Sequence, residues 1–141
     1  MRKAYFRQAN LDNASLDKGN LRGADLTATT LKRAQLPGAD LREADLGCLY
    51  INRADDPSSG SQCAVLQEAF MDGADFRNAT MFSTNLIRAS LNGADFRGAD
   101  LRNADLRDAY LNKADFRGAK LTGVKLHGAD RVGARGLPAS D

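Results

Sequence analysis

Large apolar residues recur along this chain at every fifth position. From Phe6 to Leu126 there are 25 such slots, and 23 of them hold Leu, Phe, Met or Ile. Only Asp56 and Ser61 break the series. Two residues before each of these centres sits a small residue, nearly always Ala, the exceptions being Gly19, Thr29, Leu49, Ser59, Thr84 and Val124. The residue just before a centre is often Asp or Asn, and the one just after is often Arg. The next is a turn-type residue, with Gly at 23, 38, 73, 93, 98, 118, 123 and 128. The stretch ADFRGADLRNADLRDAYLNKADFRG, 94–118, shows the unit at its most regular. A helix cannot use it, because five residues advance about 500° and scatter the centres over every face. A flat strand cannot use it either, because successive centres would alternate between faces. A fixed bend in each pentapeptide satisfies both constraints. The centre and the small residue then point into a closed coil, and the flanking polar residues point out.

The aromatic residues count the sides of that coil. Phe76, Phe96 and Phe116 lie twenty residues apart, each within ADFR. Four pentapeptides per turn place these three rings in one interior column. The outward aromatics Phe70 and Tyr110 are also separated by a multiple of twenty. The expected fold class is therefore all-β: about six four-sided coils stacked through parallel backbone hydrogen bonds at about 4.8 Å, a rod roughly 30 Å long. Ala follows from the narrow interior, where a larger residue beside Leu or Phe would overpack.

With this many copies of A-(D/N)-L-x-x, the chain resembles the pentapeptide-repeat family over residues 4–128, apart from an interruption near 49–63. The resemblance implies a right-handed quadrilateral β-helix, four pentapeptides per coil. The expected organisation is one β-helix over 1–130, interrupted by a loop at 49–63, and a C-terminal tail over 131–141. The motif residues are the fold itself, so they say little about function.

The interruption, LYINRADDPSSGSQC, carries Pro57, Ser58, Ser59 and Gly60, a loop signature. Two readings compete. Either the coil runs through with degenerate repeats, or 49–63 leaves the coil and ADLGC (44–48) connects directly to AVLQE (64–68). In a continuous coil Cys48 and Cys63 would occupy different corners, beyond the roughly 7 Å Cα limit of a disulfide. In an excursion they bracket the neck of the loop. The excursion is preferred, with a Cys48–Cys63 disulfide under oxidising conditions and two free thiols in a reducing cytosol as the alternative. A projecting loop on a rigid rod is the best interaction candidate in the chain; its candidate contact residues are Tyr50, Arg53, Asp55 and Asp56.

Charge changes the picture little. Twenty basic residues face 18 acidic ones, for a formal net charge of +2. Neither end carries a block of one sign, so direct nucleic-acid binding is not expected. Asp75, Asp95 and Asp115 share one column, with Arg77, Arg97 and Arg117 beside them, which reads as a solvated ion-pair lattice rather than a phosphate stripe. Arg22, Arg42 and Arg102 would share another column if the register held across the interruption. His127, the single histidine, sits just after a centre and hence outward. No metalloprotease, P-loop or serine-hydrolase motif occurs, two cysteines make no zinc site, and a filled rod offers no cleft. The chain is therefore expected not to be an enzyme and to use no cofactor or metal. No apolar run is long enough to span a membrane. No signal peptide is visible, which points to the cytoplasm, though a mature secreted protein with a new initiating Met would read the same. A solenoid end needs a cover, so a homodimer through an uncapped coil end is expected.

These features point to a non-enzymatic scaffold for protein–protein interaction with an unnamed partner. The alternative comes from the family resemblance: some pentapeptide-repeat proteins bind DNA gyrase as DNA mimics, with projecting loops contributing. A mildly basic chain with Arg beside Asp is a poor duplex mimic.

Overall fold

The computed structural model describes residues 4–50 and 60–139. Each pentapeptide turns a corner the same way. The carbonyl of a centre accepts from the amide three residues on, as in Ala9 N to Phe6 O at 2.8 Å and Ala44 N to Leu41 O at 3.1 Å. The residue before that amide has positive φ, as at Gln8 (58°), Arg33 (56°) and Gly98 (72°). Such corners cost L-residues about 1–2 kcal/mol each. The corner amide offsets this by bonding to the next coil, as Gln8 N does to Thr27 O at 3.0 Å.

Between corners each side makes one parallel bridge to the coil above. The ladder Tyr5, Asp25, Asp45, Thr80, Asp100, Lys120 climbs one face through six successive coils. The other faces carry Asn10 to Lys125, Ser15 to Asp130 and Asn20 to Arg135. Inside, the centres and small residues from Ala24 to Phe116 are almost wholly buried. Phe76, Phe96 and Phe116 form the expected column, with ring centroids 4.9 and 4.7 Å apart and interplanar angles of 2° and 8°.

Across the interruption the bridge spacing jumps. Below it partners are twenty residues apart, as in Asp25 with Asp45; across it they are 35 apart, as in Asp45 with Thr80. The coil steps from Leu46 to Leu66, its bridges passing from Asp45 straight to Thr80 over the residues between Cys48 and Ala64. Their described ends pair as an antiparallel hairpin of β1 (Cys48–Tyr50) and β2 (Ser61–Cys63). Cys48 stands directly opposite Cys63, at disulfide distance with S–S 1.95 Å.

Thr84 compensates for the altered corner. Ala64 N bonds to Gly47 O at 3.3 Å instead of to the centre carbonyl. The Leu46 carbonyl accepts the buried Thr84 hydroxyl instead, at 3.0 Å. This is why Thr replaces Ala at that small position. Thr29, also fully buried, donates to Phe6 O at 2.9 Å.

Two expectations need correction. Fifteen residues are three sides of a four-sided coil, so columns twenty apart in sequence do not carry across the interruption. Arg22 and Arg42 follow Asn20 and Asp40 on one face and so align with Arg77, Arg97 and Arg117, whereas Arg102 lies on the face of Asp100. The coil also runs beyond residue 130. Asp115 bridges Arg135, and Phe116 N bonds to Arg135 O at 2.7 Å. Backbone pairing at this edge does not require an apolar centre, so Arg131 in a centre slot does not end it. Leu137 then packs partly buried against the core.

Candidate interaction surfaces

The interior is filled, so what the protein offers is its faces. On three of them aspartates and arginines satisfy each other. Asp sits just before a centre and Arg just after, which puts both on one side of the strand. Arg77 forks onto Asp75 with Nε–Oδ1 at 2.9 Å and NH2–Oδ2 at 2.7 Å. Arg42 with Asp40, Arg97 with Asp95 and Arg117 with Asp115 repeat this up the same face. Longer contacts link the coils, Arg42 to Asp75 at 3.6 Å and Arg77 to Asp95 at 3.7 Å. The same fork recurs as Asp100–Arg102 and Asp105–Arg107 on the next two faces. Hydrogen bonds from Arg42 and Arg117 hold the carboxyls of Asp40 and Asp115 down at about 2. Asp95 and Asp100 are lowered by Arg97 and Arg102 in the same way.

The fourth face differs. Its outward column reads Ser15, Gln35, Phe70, Ser90, Tyr110, Asp130. Phe70 and Tyr110 are half exposed. With the corner residues Arg33, Glu68 and Arg88 they line an open groove of about 600 Å³. Arg88 approaches Glu68 only to 3.9 Å. Arg33 makes no ion pair among the described residues. Both arginines sit two residues after a centre, at corners, and so miss the aspartate that the paired arginines reach. Beside the column runs a polar ladder: Asp72 accepts from the Ser90 hydroxyl (2.6 Å) and Asn92 N (2.9 Å), and Asn112 Oδ1 accepts from Val132 N (2.9 Å). The forty-residue spacing of Phe70 and Tyr110, two turns of the coil, was the one signal in the sequence for this face. Arg33 and Gln35 join it only through the 35-residue jump.

Of the candidate loop residues, Tyr50 is exposed at the end of β1. Arg53, Asp55 and Asp56 lie outside the described residues. Gln62 of β2 meets Gln8 at 3.4 Å, so the hairpin lies against the first coil. His127 is exposed. No helix here is long and apolar enough to cross a membrane among the described residues.

A closed four-sided coil with five residues per side and outward-facing chemistry defines a β-helical solenoid. The family profile described as Pentapeptide repeats matches in eight copies over residues 1–27, 9–47, 20–55, 62–98 and 99–130, and the chain belongs to that family. Among solved structures it is similar to the pentapeptide repeat protein Rfr23 from the cyanobacterium Cyanothece 51142. That match has 22% identity, covers 89% of this chain and 86% of that one, and has a TM-score of 0.60. It is also similar to AT2G44920, a pentapeptide repeat protein from the Arabidopsis thaliana thylakoid lumen, at 19% identity over 99% of this chain and 71% of that one, TM-score 0.50. HetL from Nostoc sp. strain PCC 7120, a pentapeptide repeat protein involved in heterocyst differentiation regulation, is 33% identical; the match covers 95% of this chain and 62% of HetL, TM-score 0.35. No curated protein sequence matches.

Proposed function

We propose that this protein is a non-enzymatic scaffold that works by protein–protein contact. One observation carries the reading. One face is closed by a continuous run of Asp–Arg forks and two others carry one fork each, while the fourth presents half-exposed Phe70 and Tyr110 in a groove with Arg33, which has no ion pair among the described residues. Aromatic side chains and arginine are enriched where proteins meet. Self-association through an end of the coil belongs to the same reading; light scattering across micromolar concentrations tests it, and a strictly monomeric mass removes it.

The scaffold is tested by immobilising the protein and capturing from an extract of its own cells, then repeating the capture from the partner's side. A stoichiometric protein recovered in both directions supports the reading. Recovery of nothing but nucleic acid overturns it. Duplex mimicry, by contrast, needs an unneutralised acidic surface, and Asp40, Asp75, Asp95 and Asp115 are each bound by an arginine. In a gyrase supercoiling assay, with and without a quinolone, the expected result is neither inhibition nor protection. An effect at low micromolar protein would overturn that and make 49–63 the first deletion.

A further inference from the structure

The outward column of the fourth face has the repeat of an aromatic stack with its middle ring missing. Inside the coil, rings on successive rungs stack at 4.7 to 4.9 Å. Outside, Phe70 and Tyr110 lie two rungs apart in one column, with Ser90 between them. Two rungs are roughly 9.6 Å at the inter-strand repeat. A ring entering above Ser90 would therefore sit about 4.8 Å from each neighbour, the spacing the interior column already shows. Ser90 leaves that space open, because its hydroxyl is turned onto Asp72 at 2.6 Å.

The rim adds a charge preference. Arg33 is unpaired among the described residues, and Arg88 is held only by the 3.9 Å contact to Glu68. All three line the same groove. Its charged lining is thus two cations and one anion. One carboxylate beside the inserted ring would meet Arg88, the corner residue of the Ser90 rung, while Arg33 lies two rungs away beyond Glu68. A polyphosphate strand fits less well, since Glu68 lies in the lining, Asp72 flanks the column and Asp130 ends it.

The geometry points to a one-ring slot between Phe70 and Tyr110 that takes an aromatic side chain of a partner protein, with a neighbouring carboxylate on Arg88. This rests on the interaction reading above and names the surface and the chemistry it recognises. Stacking makes the ring the main determinant, and the exposed ion pair adds less.

The test uses three acetylated, amidated tripeptides, Glu-Phe-Ala, Lys-Phe-Ala and Glu-Ala-Ala, titrated into the ¹⁵N-labelled full chain and followed by NMR. Glu-Phe-Ala is expected to shift Ser90, Phe70 and Tyr110 saturably. Loss of the ring should weaken binding about 10-fold, and Glu to Lys, or Arg88→Gln, by about 2- to 5-fold. Ser90→Phe supplies the missing ring from within and should abolish the shifts while keeping the circular dichroism of the coil. Tyr110→Ser opens the slot and gives the same loss should Ser90→Phe misfold. Equal shifts for all three peptides, or none up to the solubility limit, overturn the slot. A short oligothymidylate that shifts the same residues at lower concentration overturns it in favour of a nucleobase. A partner captured equally by wild type, Ser90→Phe and Tyr110→Ser leaves the scaffold standing and removes the slot. Failure of both peptide binding and capture removes both.

Discussion

Thr84→Ala restores the residue that nearly every other coil uses at this position, and it should destabilise the protein. At other corners the centre carbonyl accepts an amide three residues on, as Leu41 O does from Ala44 N at 3.1 Å. At Leu46 that amide is missing because the chain leaves the coil, and the Thr84 hydroxyl at 3.0 Å takes its place. Removing it leaves a buried carbonyl without a donor, a cost of about 1–3 kcal/mol. The lost methyl adds about 1 kcal/mol. Thr29→Ala is the internal control, because it loses the same atoms while Phe6 O keeps the Ala9 amide at 2.8 Å. Thr84→Ala should therefore cost about 1–2 kcal/mol more than Thr29→Ala. At about 3 °C per kcal/mol for a chain of this size, that separates their melting temperatures by about 3–6 °C. Urea unfolding followed by circular dichroism gives the free energies, provided the slope m is unchanged between variants. A second arm fixes the cause. Deleting 49–63 joins Cys48 to Ala64 and rebuilds an ordinary corner, so the Ala64 amide can reach Leu46 O. In that background the Thr84→Ala penalty should fall to that of Thr29→Ala. Equal costs for the two substitutions in the intact chain, or a penalty that survives the deletion, would refute the account.

The interior column makes a graded prediction. Phe76, Phe96 and Phe116 are equally buried, but Phe96 has two stacked neighbours and the others one. Phe96→Leu should exceed Phe76→Leu and Phe116→Leu by one ring contact, about 1 kcal/mol, in urea denaturation; equal values would sink it. The Asp–Arg forks predict acid sensitivity. Asp40 and Asp115 are depressed from 3.8 to about 2, so their contribution is complete above about pH 4 and lost as pH falls through about 2. The melting temperature should fall across that window, and less steeply in Arg42→Gln, Arg117→Gln protein. The hairpin neck predicts redox dependence. Reducing Cys48–Cys63 opens a 15-residue closure and should lower stability by about 3 kcal/mol in a chain-entropy model while leaving the circular dichroism of the coil unchanged.

The fold was legible because five-residue periodicity has one cheap geometric solution. Apolar centres must face inward together, and only a bend per pentapeptide allows it. The phenylalanine spacing then set four sides, and ring stacking at 4.7 to 4.9 Å follows from the rung repeat. The surface was less legible, because it depends on alignment between coils. Arg22 and Arg42 align with Arg77 rather than with Arg102, since three sides are missing from the ladder. The groove assembles Arg33 from before the interruption with Phe70 and Arg88 from after it. Whether an arginine is paired also turns on one residue of offset. Arg77 just after its centre forks onto Asp75, and Arg33 one place later finds no carboxylate among the described residues. The sequence showed both arginines, but the distinction appears only once the corner is known to lie between those two positions.

The same physics explains why the coil is interrupted where it is. Written in the frame of five, the excursion is three pentapeptides, 49–53, 54–58 and 59–63, and each carries a residue the interior rejects. Leu49 falls in a small slot, where it would overpack the narrow core. Asp56 falls in a centre slot, where burial would cost several kcal/mol or force protonation. Ser61 falls in the next centre slot and would leave a cavity and an unsatisfied hydroxyl. The flanking pentapeptides carry no such fault: Ala44 with Leu46 and Ala64 with Leu66 are all fully buried. Closing a surface loop grows in cost only slowly with length. Three faulty sides are therefore easier to leave out together than one at a time, since each separate exit would need its own irregular corner. One exit leaves one centre carbonyl without its usual donor, and one threonine hydroxyl, Thr84 on Leu46, supplies it.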